Sequence, residues 1–336
     1  MLSARRIGVG MVGLGGVSYM HEAGYQEIPD RAKIVAVCDI DKAEAEGRAS
    51  PYGAVAFTEF EELSRHPEVE LVDICLPHHL HYRAARSALE AGRNVLLEKP
   101  MAPTSAEAKD LLELARRKKV NFTVAENTRF VKAYKEAEKL LNEQKLGEIW
   151  LVRTIVCGSE VARLSNPSSW LTRRETGGGI ILDAGVHTFY LMQWLFGGVK
   201  DIRAFTWSRV KGPQVEDNAV MIGHLRNGAE FQSQLSDTVM SPWNERLEVH
   251  GSKGSLFIDQ LNDPPARCNL GEDDYDGARL EGVEYDPTGW KYSSIVEEVK
   301  DMVSSILEGR APLVKPADCL EAVKVVEMAL ASASPL

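Results

Sequence analysis

The chain predicts two folded regions: a doubly wound α/β domain with a parallel sheet over residues 1–127, and an α+β domain with a mostly antiparallel open sheet over residues 128–336. Three observations carry this expectation. Before residue 127, short runs that are apolar throughout recur between helical patterns, as in a parallel sheet covered on both faces. Beyond it, strand-like runs cluster around turn signals. At 336 residues and 44% hydrophobic content, the chain can also bury two cores.

The apolar runs of the first region are Ile7–Val12, Lys33–Asp39, Val55–Phe57, Leu71–Leu76, Asn94–Leu97 and Asn121–Glu126. Thr58 with Glu61, and Thr104 with Glu107, have capping-box spacing, while Gly92 sits where a helix ends. The second region opens on a charged amphipathic helix, Val131–Glu143, followed by Gly147. Strands are expected at Ala219–Leu225, Ala229–Leu235 and Leu247–His250, with Asn227-Gly228 as a hairpin turn. Ser252-Lys253-Gly254 marks another turn before Ser255–Asp259. One long helix, Ile180–Phe196, interrupts this half. Two more, Tyr292–Glu308 and Ala317–Ala331, close the chain and are free to pack back on the first domain. There is no internal repeat.

Composition excludes several classes of function. A net charge of −10 argues against nucleic acid and anionic membrane as partners. No apolar run reaches the roughly 18 residues of a membrane span. Arg5-Arg6 before an apolar stretch superficially resembles a secretion signal, but the stretch is glycine-rich and lacks a small-residue cleavage site. It reads as the first strand, and the expected compartment is the cytoplasm. The five cysteines are scattered, odd in number and without a C-x-x-C pair, which fits reduced thiols. The acidic run Glu272–Asp276 reads as a solvated loop rather than a calcium site.

Gly13-Leu14-Gly15-Gly16-Val17-Ser18 follows the first strand and opens the first helix. Gly13, Gly15 and Gly16 permit a tight turn and let the backbone approach a pyrophosphate, which the helix N-terminus beyond Val17 favours. Ser18 is small enough for close packing of helix on strand. The second strand ends in Asp39, placed to hold ribose hydroxyls. Its charge repels a 2′-phosphate, and Ile40 and Asp41 supply no arginine to bind one. The expected cofactor is therefore NAD in preference to NADP.

Four segments then fall in one order: Gly13–Ser18, Glu98-Lys99-Pro100, Ala125-Glu126-Asn127, and Gly177-Gly178-Gly179 leading into Asp183-Ala184-Gly185-Val186-His187. Together they resemble the glucose–fructose oxidoreductase and inositol dehydrogenase family, Gfo/Idh/MocA, along essentially the whole chain. The resemblance implies a Rossmann domain, hydride exchange between nicotinamide and a secondary alcohol of a sugar or cyclic polyol, and a second domain that commonly serves oligomerisation, here a homodimer or homotetramer. It implies that Lys99 and His187 form the proton relay, that Asp183 orients substrate, and that the Lys99–Pro100 bond is cis. It also runs the Pro77–His81 loop along the cofactor, with Glu98, Lys99 and Asn127 beside it.

The same residues make chemical sense alone. Oxidising an alcohol needs a proton acceptor within hydrogen-bond reach of the hydroxyl. Lys99 stands at the carboxyl end of a parallel strand, where such sheets bind ligands. Asp183 and His187 are four apart on an otherwise apolar helix and share a face, with Gly185 keeping that face slim for substrate. Trp170, Arg173 and Arg174 precede the triple glycine and could wall a substrate pocket or form a structural loop. His78, His79 and His81 lack acidic or cysteine partners at metal-binding spacing, so no metal is expected. Two other readings stand beside this one: a non-catalytic sensor of NAD or sugar, and a dehydrogenase of a trans-dihydrodiol or nucleotide sugar.

Overall fold

The computed structural model describes residues 5–271, 278–286 and 289–335; the acidic run Glu272–Asp276 lies outside them. The chain divides into two units, Met1–Asn127 with Lys291–Leu320, and Thr128–Trp290 with Glu321–Leu336.

In the first unit, β1 (Ile7–Val12), α1 (Ser18–Gln26), β2 (Ala32–Cys38), α2 (Lys42–Ala49), β3 (Val55–Phe57), α3 (Phe60–Arg65), β4 (Leu71–Ile74), α4 (His78–Glu90), β5 (Asn94–Glu98), α5 (Ser105–Lys118) and β6 (Phe122–Ala125) alternate. The strands form a six-stranded parallel sheet in the order β3-β2-β1-β4-β5-β6. The chain builds outward from β1 to β3, then crosses back to β4, so the order reverses between β1 and β4. Ligands of such sheets bind beyond the carboxyl ends of the strands at that reversal. Every residue of β1, β4 and β6 is buried, which explains why these runs are apolar without alternation.

Thr104 caps α5 as expected: its hydroxyl oxygen accepts the Glu107 N–H at 3.3 Å and the hydroxyl donates to Glu107 Oε2 at 2.8 Å. Thr58 does not cap α3. That helix starts two residues later, at Phe60, with Glu59 in the cap position and no side-chain hydrogen bond there.

The second unit contains α6 (Lys132–Asn142), β7 (Ile149–Cys157), α7 (Val161–Leu164), α8 (Ile180–Asp183), α9 (Gly185–Phe196), β8 (Val199–Trp207), β9 (Asn218–Leu225), β10 (Glu230–Ser236), β11 (Asn244–Gly251), β12 (Gly254–Asp259), β13 (Ala266–Leu270) and β14 (Ala278–Arg279). The helices α10 (Trp290–Glu308) and α11 (Pro316–Ser332) and a short β15 (Ser334–Pro335) close the chain. Nine strands order as β14-β13-β12-β11-β7-β10-β9-β8-β15, with β7–β10 and β8–β15 parallel and the other pairs antiparallel. Register sets the two faces of this sheet. Thr154, Ser233, Met221, Leu247 and Leu256 point to one side and are buried, while Arg153, Gln232, Ile222, Glu248 and Phe257 point to the other. Asn227 and Gly228 form the β9–β10 turn, the Asn227 side chain accepting the Ala229 N–H at 3.1 Å.

The helix expected over Ile180–Phe196 is two helices. Ala184 ends α8 and opens α9 at φ −99° and ψ −35°. Gly185 follows at once, and glycine is among the weakest helix formers.

The helix α10 supplies Val299, Met302 and Val303 to the first unit's core, beside Ile7, Val9, Met11 and Tyr25. It crosses α1 at Gly24, where a Cβ would stand 2.8 Å from Cβ of Val299. A larger residue there would force the two helices apart.

Candidate active site

The first unit offers a dinucleotide cradle. Gly13 turns the chain after β1 at φ +82°, and a Cβ there would lie 2.5 Å from the Cys75 carbonyl oxygen. Only glycine satisfies both constraints. At Gly15 and Gly16, which are exposed, a Cβ would meet nothing within 4 Å. The space over this backbone is therefore open to a ligand. Val17 precedes α1, and the buried Ser18 donates its hydroxyl to the Gly15 carbonyl at 2.6 Å. Asp39 follows β2; its carboxylate accepts the Leu14 N–H at 2.9 Å and the Asp41 N–H at 3.0 Å. That ties the acidic side chain to the glycine turn. A helix N-terminus, an uncovered backbone and an adjacent carboxylate fit a dinucleotide. Sequence reasoning missed Arg48, which donates to the Leu14 carbonyl at 3.2 Å and pairs with Glu22 and Glu44.

Lys99 directly follows β5, and its peptide bond to Pro100 is cis. Glu98 is buried and accepts the Lys99 N–H through its own side chain at 3.1 Å. Pro77 stands in the cap position of α4. His81 lies in the first turn of that helix. Its ring is completely buried, with one nitrogen 2.7 Å from the Pro100 carbonyl oxygen and the other 2.7 Å from that of Leu76. Carbonyls only accept, so both contacts favour the imidazolium, but burial outweighs them and holds the ring below its usual range. The buried ring braces the Lys99–Pro100 turn from behind. Asn127 is also buried, and its amide donates to the Ser294 hydroxyl at 2.8 Å. The sequence reading missed a buried group behind this turn: His21, Asp73 and Glu298. One signal was available, since Asp73 stands inside an apolar strand that is buried throughout.

In the second unit, two of the three consecutive glycines are forced by neighbours. A Cβ on Gly178 would sit 2.2 Å from the Leu171 carbonyl oxygen. At Gly179, φ is +103° and a Cβ would lie 2.6 Å from Glu216 Oε1. Glu216, which nothing in the sequence singled out, accepts the Ile180 N–H on its carbonyl at 3.1 Å. Its carboxylate accepts from Arg174 at 3.3 Å, and burial pushes that carboxyl upward despite the pairing. Arg174 is exposed, while Trp170 is half-buried with its carbonyl accepting the Thr176 hydroxyl at 2.6 Å. Arg173 is half-buried between them.

This scaffold launches α8 and α9. Of residues 180–192, Asp183 and His187 reach the surface and all others are buried. Gly185 corrects a sequence inference. It is buried, with a Cβ position 3.2 Å from Leu235 Cδ1. The glycine therefore brings α9 close to β10, and does not thin the helix for a substrate.

Two family descriptions match the chain. One, an oxidoreductase family with an NAD-binding Rossmann fold, matches residues 7–126, and the GFO/IDH/MocA C-terminal domain matches residues 134–257. The chain belongs to the Gfo/Idh/MocA oxidoreductase family. An uncharacterised oxidoreductase of Synechocystis is 30% identical over 278 residues, 78% of this chain and 75% of that protein. Trans-1,2-dihydrobenzene-1,2-diol dehydrogenase of Bos taurus is 30% identical over 239 residues, 69% of this chain and 67% of that enzyme. Among solved structures, the WlbA dehydrogenase of Bordetella pertussis in complex with NADH and UDP-GlcNAcA superposes with a TM-score of 0.90 at 20% identity, covering 99% and 96% of the two chains. The doubly wound fold, the mostly antiparallel second sheet and the family membership expected from sequence all stand. Among the described residues, no helix is long and apolar enough to cross a membrane.

Proposed function

We propose that this Gfo/Idh/MocA member is an NAD-dependent dehydrogenase that moves a hydride between a ring secondary alcohol of a sugar or cyclic polyol and the nicotinamide. The observation that carries this reading is the exposure pattern of α8 and α9: in a buried run, Asp183 and His187 alone reach the surface. An acid–base residue and a carboxylate on one otherwise apolar segment suit a substrate dense in hydroxyls.

Bound NAD supplies the hydride acceptor. Lys99 and His187 share the alcohol proton: as the hydride leaves carbon, the O–H bond breaks and one of them takes the proton while a carbonyl forms. Asp183 accepts hydrogen bonds from neighbouring hydroxyls and so sets which carbon reacts. Trp170 and Arg174 wall the substrate. The turn at Gly13, Gly15, Gly16 and Val17 holds the pyrophosphate, and Asp39 holds the ribose, favouring NAD over NADP. Pro77, Glu98 and Asn127 shape the nicotinamide side through the backbone they fix.

The relatives support the substrate class. Dihydrobenzenediol and the UDP-linked sugar of the WlbA complex both carry hydroxyls on ring carbons. The cytoplasm suits five cysteines that all lie outside disulfides. A homodimer or homotetramer through the second sheet suits the apolar side chains exposed on its uncovered face, Phe205, Ile222 and Phe257.

The test is NADH formation with a panel of inositols, aldoses, glycosides, a nucleotide sugar and a trans-dihydrodiol. Turnover of a ring alcohol is expected. Binding of NAD without turnover of any member would replace the enzyme with a sensor.

A further inference from the structure

The first unit buries a connected set of ionisable side chains centred on His21. His21 on α1 is completely buried. Its Nδ1 lies 3.0 Å from each carboxyl oxygen of Asp73 on β4, and its Nε2 lies 3.2 Å from Glu98 Oε1. The other Glu98 oxygen accepts the Lys99 N–H at 3.1 Å. Asp73 also accepts the Tyr25 hydroxyl at 2.8 Å and the Cys75 thiol at 3.8 Å. A continuous hydrogen-bonded chain thus runs from the middle of the sheet to the main chain of Lys99. Placing charges there costs several kcal/mol per ion unless they are paired, and a hydrophobic sheet centre would have been simpler to build.

We propose that Asp73, His21 and Glu98 are positioning residues: together they fix the main chain of Lys99 and set the charge that its side chain feels. The proposal rests on the reading that Lys99 exchanges the alcohol proton. Asp73 and His21 have no exposed surface, so neither touches a bound substrate. The field of Glu98 and Lys99 reaches one common neighbour, the buried His81. Around the imidazole stand Tyr25 from α1, Asp73 and Cys75 from β4 and its end, Glu98 from β5, and Glu298 from α10, with Glu126 beyond β6. Burial alone would lower the His21 ring, but Asp73 lifts it well above its ordinary range. Both ring nitrogens face carboxylate oxygens, which only accept, so the geometry favours an imidazolium whose charge offsets Glu98. The ligand atoms of His21, Asp73 and Cys75 also lie within 4.8 Å of one another. A metal there is disfavoured because Nδ1 is spent on Asp73 and burial pushes the Cys75 thiol up to about 12.

The test needs no substrate. Reductive methylation with ¹³C-formaldehyde gives each lysine an NMR signal, and the one lost in Lys99→Arg belongs to Lys99. In Glu98→Gln that signal should titrate at lower pH, because a negative charge is gone. In His21→Asn it should titrate at higher pH, because the imidazolium opposing Glu98 is gone. Each shift should be about one pH unit, the effect of a single charge within roughly 10 Å at an effective dielectric of about 20. Unchanged titration of Lys99 in both variants overturns the proposal. If His21→Asn does not fold, the isosteric Glu98→Gln decides alone. With a substrate from the panel, His21→Asn should lower kcat about 10- to 100-fold and leave KM within about threefold. Retained turnover in Lys99→Ala would instead remove the proton relay, and the titration would still judge the positioning chain.

Discussion

At the residue scale, the chemistry rests on few side chains, and they are separable. Lys99→Ala should reduce turnover by about two to four orders of magnitude, the usual contribution of a positioned acid or base, with NAD affinity little changed. His187→Asn should act alike, whereas Asp183→Asn should mainly raise KM. A Lys99→Ala enzyme of near wild-type kcat would contradict this. On the role proposed for Asp39, kcat/KM with NAD should exceed that with NADP by at least about tenfold, about 1.4 kcal/mol. Asp39→Ser with Ile40→Arg should narrow or invert the ratio, and equal use of both cofactors by the wild type would refute it. Glu298 bears on stability. It is buried, neither carboxyl oxygen has a hydrogen-bond partner among the described residues, and burial raises its carboxyl well above 4.5, helped by Glu98, Glu126 and Asp73 against His21. The folded chain therefore holds that proton to higher pH than the unfolded chain, and stability falls as pH rises above about 4.5. The His21 contribution is complete below 6.5 and is also lost as pH rises through its raised folded value. Glu298→Gln should flatten the decline above about pH 4.5 in denaturant titrations. A parallel decline in variant and wild type would show that Glu298 does not cause it.

At the element scale, the runs Ile7–Val12 and Val55–Phe57 coincide with β1 and β3, because period and composition are local properties. Two elements depart from the sequence reading. The helix break at Ala184 precedes a glycine packed on β10, and the cap of α3 falls on Glu59 in place of Thr58. Gly185→Val should destabilise the chain by about 1–3 kcal/mol through overpacking against Leu235, while NAD binding in the other unit persists. Unchanged thermal unfolding would show that α9 can retreat from the sheet. The long strands β7 and β8 were not singled out, although Gly147 precedes β7 and Gly197-Gly198 directly precedes β8.

At the scale of the whole molecule, the second sheet is asymmetric. Its inner face is filled by Leu235, Leu247 and Leu256, while its outer face shows Phe205, Ile222 and Phe257 among pairs such as Arg153–Glu248. Large apolar side chains left on a broad sheet face mark an association surface. The protein should behave as a dimer or tetramer in light scattering at micromolar concentration, and Ile222→Glu should shift it toward monomer. A wild-type monomer under those conditions would rule out the sheet as an interface.

Sequence alone determined what depends on spacing. The glycine turn after β1, Asp39 after β2, the Glu98-Lys99-Pro100 segment and the Asp183/His187 pair are all legible because strand ends and helix periods carry fixed intervals. Tertiary structure decided what depends on which segments meet. His21, Asp73, Glu98 and Glu298 come from α1, β4, β5 and α10, so no local pattern could announce that they share one buried charge system. The same holds for Glu216 against the triple glycine, for Arg48 against Leu14, and for His81, whose place beside Lys99 is legible but whose complete burial is not. Burial is a property of the assembled core, and it is burial that separates a side chain able to touch a ligand from one that braces the chain behind it.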